Sequence, residues 1–164
     1  MVCLLLGGGM LPARAQLSAT AREIEVLFRR GEPRAALLRL DQALAARPGD
    51  AGLRFLQGVL LAESDRPAEA AAVFERMNED FPDLPEPYNN LAVIEAAKGQ
   101  LDRARSLLET ALRLDPTYRT AHQNLGDVFV RLAQRAYEAA ANSPSAEPAL
   151  KSKLRLVREL AANR

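Results

Sequence analysis

Few side chains in this sequence can do chemistry, and their spacing points to hydrogen bonding rather than to bond making. The chain has one histidine, His122, and one cysteine, Cys3. A metal cluster or an activated thiol needs partners that these single residues lack, so no metal site and no cysteine nucleophile is assigned. A serine paired with His122 has no G-x-S-x-G turn to present it. Gly7 to Gly9 follows no strand and is not followed by Gly-Lys-Ser/Thr, so it is not a phosphate loop. The acids Glu79, Asp80, Asp83 and Glu86 read as loop and helix-start residues. No catalytic residue and no cofactor is therefore expected.

What remains is a set of amides. Asn89 and Asn90 stand together, and Gln123 and Asn124 follow them at a spacing of 34 residues. An amide both donates and accepts, so a row of amides can pair with an extended backbone without reading its side chains closely. Each such bond contributes only about 0.5–1.5 kcal/mol net, so two or three give weak binding unless apolar contacts add to them.

The spacing of the amides belongs to a wider pattern that must position them. Pro48, Pro82 and Pro116 are 34 residues apart, as are Ala36, Ala70 and Ala104, and the turn residues Gly31, Asp65 and Gly99. The same period relates Leu40, Phe74 and Leu108, then Ala43, Met77 and Ala111. Each unit reads as two amphipathic helices reversed by a Gly or Asp turn, with a Pro just past the second helix to stop it. The alanine in the second helix permits close approach of the first. One such hairpin cannot bury its apolar face alone, so neighbours stack.

Composition agrees with stacked helices. The 164 residues are 48% hydrophobic and 5% aromatic, which gives a core of Leu, Ala and Val. Lys plus Arg number 22 against 21 acids with no block of like charge, so no nucleic-acid footprint is present.

The two ends differ from the middle. "MVCLLLGGGMLPARA", residues 1–15, has an apolar run from Val2 to Leu11 and an Ala13-Arg14-Ala15 pattern that places a secretory cleavage between Ala15 and Gln16. The run is far shorter than the ~20 residues that span a bilayer. No cation precedes it, and a disordered tail of a cytosolic protein is the other reading. Cleavage would remove Cys3. At the other end, residues 142–149 read as a loop, and residues 149–163 as a helix with Leu150, Leu154, Val157 and Ala161 on one face and Lys151, Lys153, Arg155 and Arg158 on the other. Either it caps the stack, or it is a basic amphipathic helix that docks on a membrane surface or partner.

The period, with "YNNLAVIEAAKGQLDRARSLLETALRLDP" as its clearest copy, resembles the tetratricopeptide repeat. The resemblance implies an all-α fold: an α-solenoid of about three and a half helix-turn-helix repeats plus a C-terminal capping helix. The repeat domain is 17–142, with repeats at 17–50, 51–84 and 85–118 and a partial fourth at 119–142. Repeat four lacks the turn residue at the expected spacing, so its first helix should run on to about Ala141. His122 falls where the family places a packed aromatic, which implies a satisfied, partly buried ring.

The resemblance also implies a function. First helices of such repeats line a concave groove, which places Phe55 and Val59, then Asn89, Asn90 and Val93, then Gln123, Asn124 and Asp127 toward a peptide or protein segment. Asn90 and Asn124 can equally tie adjacent repeats. A subclass clamps carboxylate-terminated peptides with Lys and Arg at positions that hold Ala21, Glu25, Phe55, Val59, Asn89, Val93, Gln123 and Asp127 here, so a carboxylate clamp is not expected. The chain is similar to small exported bacterial proteins of this family. The expectation is a non-enzymatic, monomeric scaffold for protein partners, exported to the periplasm of a Gram-negative bacterium. The alternative is an assembly subunit that oligomerises through its convex face or C-terminal helix.

Overall fold

In a computed structural model of the chain, residues 19–142 and 148–162 are described. The expected leader with its Ala15–Gln16 cleavage, Cys3, and residues 143–147 of the expected loop lie outside the described residues. The described chain forms α1 (Ala19–Arg29), α2 (Pro33–Ala46), α3 (Ala51–Glu63), α4 (Pro67–Asp80), α5 (Pro85–Ala97), α6 (Leu101–Leu114), α7 (Arg119–Ala141) and α8 (Pro148–Ala162), with no strand among the described residues.

The turns inside the hairpins share one geometry. Gly31 and Gly99 have φ of +81° and Asp65 has φ of +57°, so each takes the left-handed position that ends a helix. The next residue then donates its amide to the carbonyl five positions back: Glu32 to Leu27 at 3.2 Å, Arg66 to Leu61 at 3.0 Å and Gln100 to Glu95 at 2.9 Å. Pro33 and Pro67 open α2 and α4, where the missing N–H costs nothing. Between repeats one and two the entry is capped differently: Asp50 Oδ1 accepts from the Leu53 amide at 3.0 Å.

The helices form two compact units, and the division falls within α5, between Leu91 and Ala92. In the unit up to Leu91, Ile24, Ala36, Leu40 and Leu53 pack without exposure where α1, α2 and α3 meet. Ala36 and Ala70 are fully buried, as close helix approach requires. Phe74 of α4 lies over Gly58 of α3 and meets the Phe55 ring at 5.8 Å between centroids, tilted by 53°. Arg54 binds Asp80 at 2.5 Å and stacks over Phe81 at 5.4 Å, so the first turns of α3 are held to the end of α4.

In the unit from Ala92 onward, α6 packs on α7 and α7 on α8. Ala104, Leu108 and Ala111 of α6 and Ala121 and Val128 of α7 are among its buried apolar residues. Polar ties align the helices. Arg131 Nη1 donates to the Ala96 carbonyl at 2.6 Å, at the end of α5, where the same oxygen also accepts from the Gly99 amide at 3.0 Å. Arg135 binds Asp102 at 2.8 Å, and Arg158 of α8 binds Glu138 of α7 at 3.0 Å. The unbroken α7 runs through Gly126 because no residue after it supplies a reversing turn. Among the described residues no helix is long and apolar enough to cross a membrane.

Candidate functional site

The residues expected to face a ligand come from three first helices, and the structure treats them differently. On α3, one turn apart, Phe55 and Val59 are half-buried. Phe55 is committed in part to the core by its contact with Phe74. On α5, Asn89 is only 2% exposed and Asn90 only 7%, and Asn89 Nδ2 donates to Asn90 Oδ1 at 3.4 Å. These two amides therefore lie inside the fold and not on an open face. Their helix is largely interior: Pro87, Leu91, Ala92 and Ile94 of α5 are buried as well. Val93 on the same helix is half-buried.

On α7 the amide next in the period is open. Gln123 is exposed, and Asn124 and Asp127 beside it are half-buried. The first helices thus offer an apolar pair on α3 and a polar trio on α7, each within its own unit. His122, expected to be partly buried, is exposed. It sits in the first turn of α7, and its Nε2 reaches back to the Pro116 carbonyl at 3.0 Å, so the hydrogen-bonded ring lies over the preceding turn instead of in the core.

In the unit up to Leu91, one carboxyl on α3 is perturbed. Burial raises the Glu63 carboxyl above the usual carboxylate range; Arg29 opposes the shift and Glu25 adds to it. Glu25 itself lies 4.0 Å from Arg29. No Lys or Arg stands at the positions that would clamp a carboxylate. Among the described residues no group of three or more His, Cys, Asp or Glu is placed to hold a metal ion.

One polar group escaped the sequence reading. Glu95 is 3% exposed, held by Lys98 Nζ at 2.9 Å and Arg103 Nη1 at 3.6 Å. Its signal was the isolated acid inside the apolar run Leu91 to Ala97, with cations at 98 and 103. A buried carboxylate so held orders the α5–α6 turn, and either cation alone would leave it under-compensated.

Paired helices with a left-handed turn, repeated along the chain with alanines at the close contacts, define the class of helical-repeat interaction scaffolds. The chain belongs to the tetratricopeptide repeat family, whose models match residues 22–85 and 85–118. It is similar to human tetratricopeptide repeat protein 8, 43% identical over 65 residues, which are 38% of this chain and 12% of that protein. The chain thus matches only a small part of that relative's length. Among solved structures it is similar to the first TPR domain of the human RPAP3 protein, with TM-score 0.65 and 17% identity over 71% of this chain and 92% of that one. It is also similar to the second TPR domain of RPAP3, solved in complex with HSP70 peptide SGPTIEEVD, with TM-score 0.60 and 17% identity over 67% and 92%. At these identities the structures share the fold alone.

Proposed function

We propose that the chain is a non-enzymatic adaptor for an extended protein segment, with the open faces of the first helices in each unit as its binding surfaces. The observation that carries this reading is the exposure of Gln123 on α7, whose buried neighbours Ala121 and Val128 already hold the helix in place. Its amide is left for a backbone from outside. Phe55 and Val59 supply half-open apolar surface on α3. The peptide-bound RPAP3 domain shows what one member of this fold does, and it supports a peptide as the kind of ligand. The ligand here differs in charge: without a cation at the clamp positions, and with Glu25 and Glu63 nearby on the α1 and α3 side, an acidic carboxylate terminus is disfavoured.

The test is selection from a displayed random-peptide library, followed by Gln123→Ala and Val59→Asp variants. Enriched peptides that bind the parent and lose affinity for either variant, with melting unchanged, support the reading; no enrichment, or equal binding by all three proteins, overturns it. In this reading the adaptor is a monomer, checked by native mass at two concentrations. It is also exported, supported by the residues 1–15 pattern and checked by finding Gln16 as the N-terminal residue of the protein recovered from cells.

A further inference from the structure

Helix α8 has two apolar sides, and packing in the fold accounts for only one. Leu154 is buried and Leu150, Val157 and Ala161 are half-buried, which is the side that meets α7. Leu156 and Leu160 are instead 52% and 59% exposed. They follow Lys153 at i+3 and i+7, so the three residues form one outward stripe. Capping the stack does not require that stripe.

The charge around the stripe is unbalanced. Four cations and one carboxylate sit on α8, a net of +3, in a chain whose formal net charge is +1. Arg155 and Arg158 have carboxylate partners, Glu159 and Glu138, at 3.0 Å each. Among the described residues Lys151 and Lys153 have none. Lys151, Arg155 and Arg158 also line a shallow depression with Leu154, Ala162 and the carboxylate of Glu159, so cations outnumber acids three to one there.

A second copy of the chain would bring the same +3 to the same face, and the like charges oppose a symmetric pairing. A partner helix would need a seam longer than two leucines. A lipid surface needs neither: it takes scattered leucines into the headgroup boundary and meets each cation with phosphate.

We propose that α8 rests on an anionic bilayer surface, with Leu156 and Leu160 entering the headgroup boundary and Lys151, Lys153 and Arg155 meeting lipid phosphates. The helix lies on the surface and does not cross it. Its remaining side keeps its contact with α7, so docking needs no unfolding.

The experiment is co-sedimentation of the full chain with vesicles of phosphatidylcholine alone and of phosphatidylcholine mixed with phosphatidylglycerol. The parent is expected to sediment with the anionic vesicles only and to be released by salt. Leu156→Ser/Leu160→Ser and Lys151→Gln/Lys153→Gln should each weaken that binding by roughly tenfold or more. All four positions are exposed, so the variants should keep the parent's melting curve. The apolar run from Val2 to Leu11 is common to all three proteins, so it cannot produce a difference between them. Equal sedimentation of parent and variants, or none with anionic vesicles, overturns the proposal. So does a concentration-dependent dimer that the leucine variant abolishes, which would make a second copy the occupant of the stripe.

Discussion

Phe74 fills the space that a side chain on Gly58 would need: a Cβ there would lie 2.5 Å from Phe74 Cε1 and 2.6 Å from its Cζ. The ring cannot yield, because Phe74 is fully buried. Gly58→Ala should therefore cost about 1–3 kcal/mol through overpacking, despite the better helix propensity of alanine. Phe74→Leu removes the clashing ring atoms. In a double-mutant cycle read by chemical denaturation, Gly58→Ala should cost clearly less in the Phe74→Leu background. Additive costs would show that the contact is not the cause.

Equivalent turn positions should respond with opposite sign. Asp65 and Gly99 both sit at positive φ, but only aspartate carries a Cβ there. Asp65→Gly should be neutral to stabilising by up to about 1 kcal/mol, because left-handed strain is relieved while unfolded-state freedom rises. Gly99→Ala should cost about 1–2 kcal/mol. No atom lies within 4 Å of a Cβ at 99, so that cost would report the backbone alone. Urea midpoints of the two variants check the signs.

These turns also show why so much of the fold was legible. Gly31, Asp65 and Gly99 stood at one period with Ala36, Ala70 and Ala104, and both sets record local demands: a left-handed residue to reverse the chain, and a small one where helices touch. Local demands leave a mark on residue type. The state of Asn89 and Asn90 does not, since a position that opens to a ligand in one repeat is interior in another, depending on what packs around its helix. The run Leu91 to Ala97 is apolar apart from Glu95 and was the available sign that much of α5 is interior. The outward Leu156 and Leu160 were likewise visible as letters, but only the packing of α8 on α7 distinguishes them from the inward Leu154 and Val157.

Burial separates the two amides by experiment. Asn89→Ala leaves Asn90 without a partner inside the fold and should destabilise by about 1–3 kcal/mol. Gln123→Ala removes an exposed side chain and should stay within about 0.5 kcal/mol of the parent. Thermal melts of the two single variants decide it. A Gln123→Ala loss as large as that of Asn89→Ala would mean that Gln123 holds the fold and is not left for a ligand.

Both units carry carboxyls that respond to acid: Arg66 holds Glu69 below its usual range in the unit up to Leu91, and others lie in the unit from Ala92 onward. Hydrogen bonds from Gln134 and then Arg158 hold the Glu138 carboxyl below its usual range, and the bond from Arg135 does the same for Asp102. A carboxyl depressed in the folded state contributes stability that is present above its unfolded pKa and is lost as pH falls through the folded one. Protonation of Glu138 weakens the Arg158 contact, so the α7–α8 pairing should soften below the ordinary carboxylate range. Glu63 has the opposite sign. Its carboxyl is raised chiefly by burial, so its charged form opposes folding, and stability falls as pH rises from the ordinary value through the raised one. Glu63→Gln should therefore match the parent at acid pH and equal or exceed it at neutral pH, whereas Glu138→Gln should lie below the parent at neutral pH and converge with it in acid. Melting curves of the three proteins across that range test both signs at once, and a Glu138→Gln variant that keeps the parent's full acid sensitivity would remove Glu138 from the account.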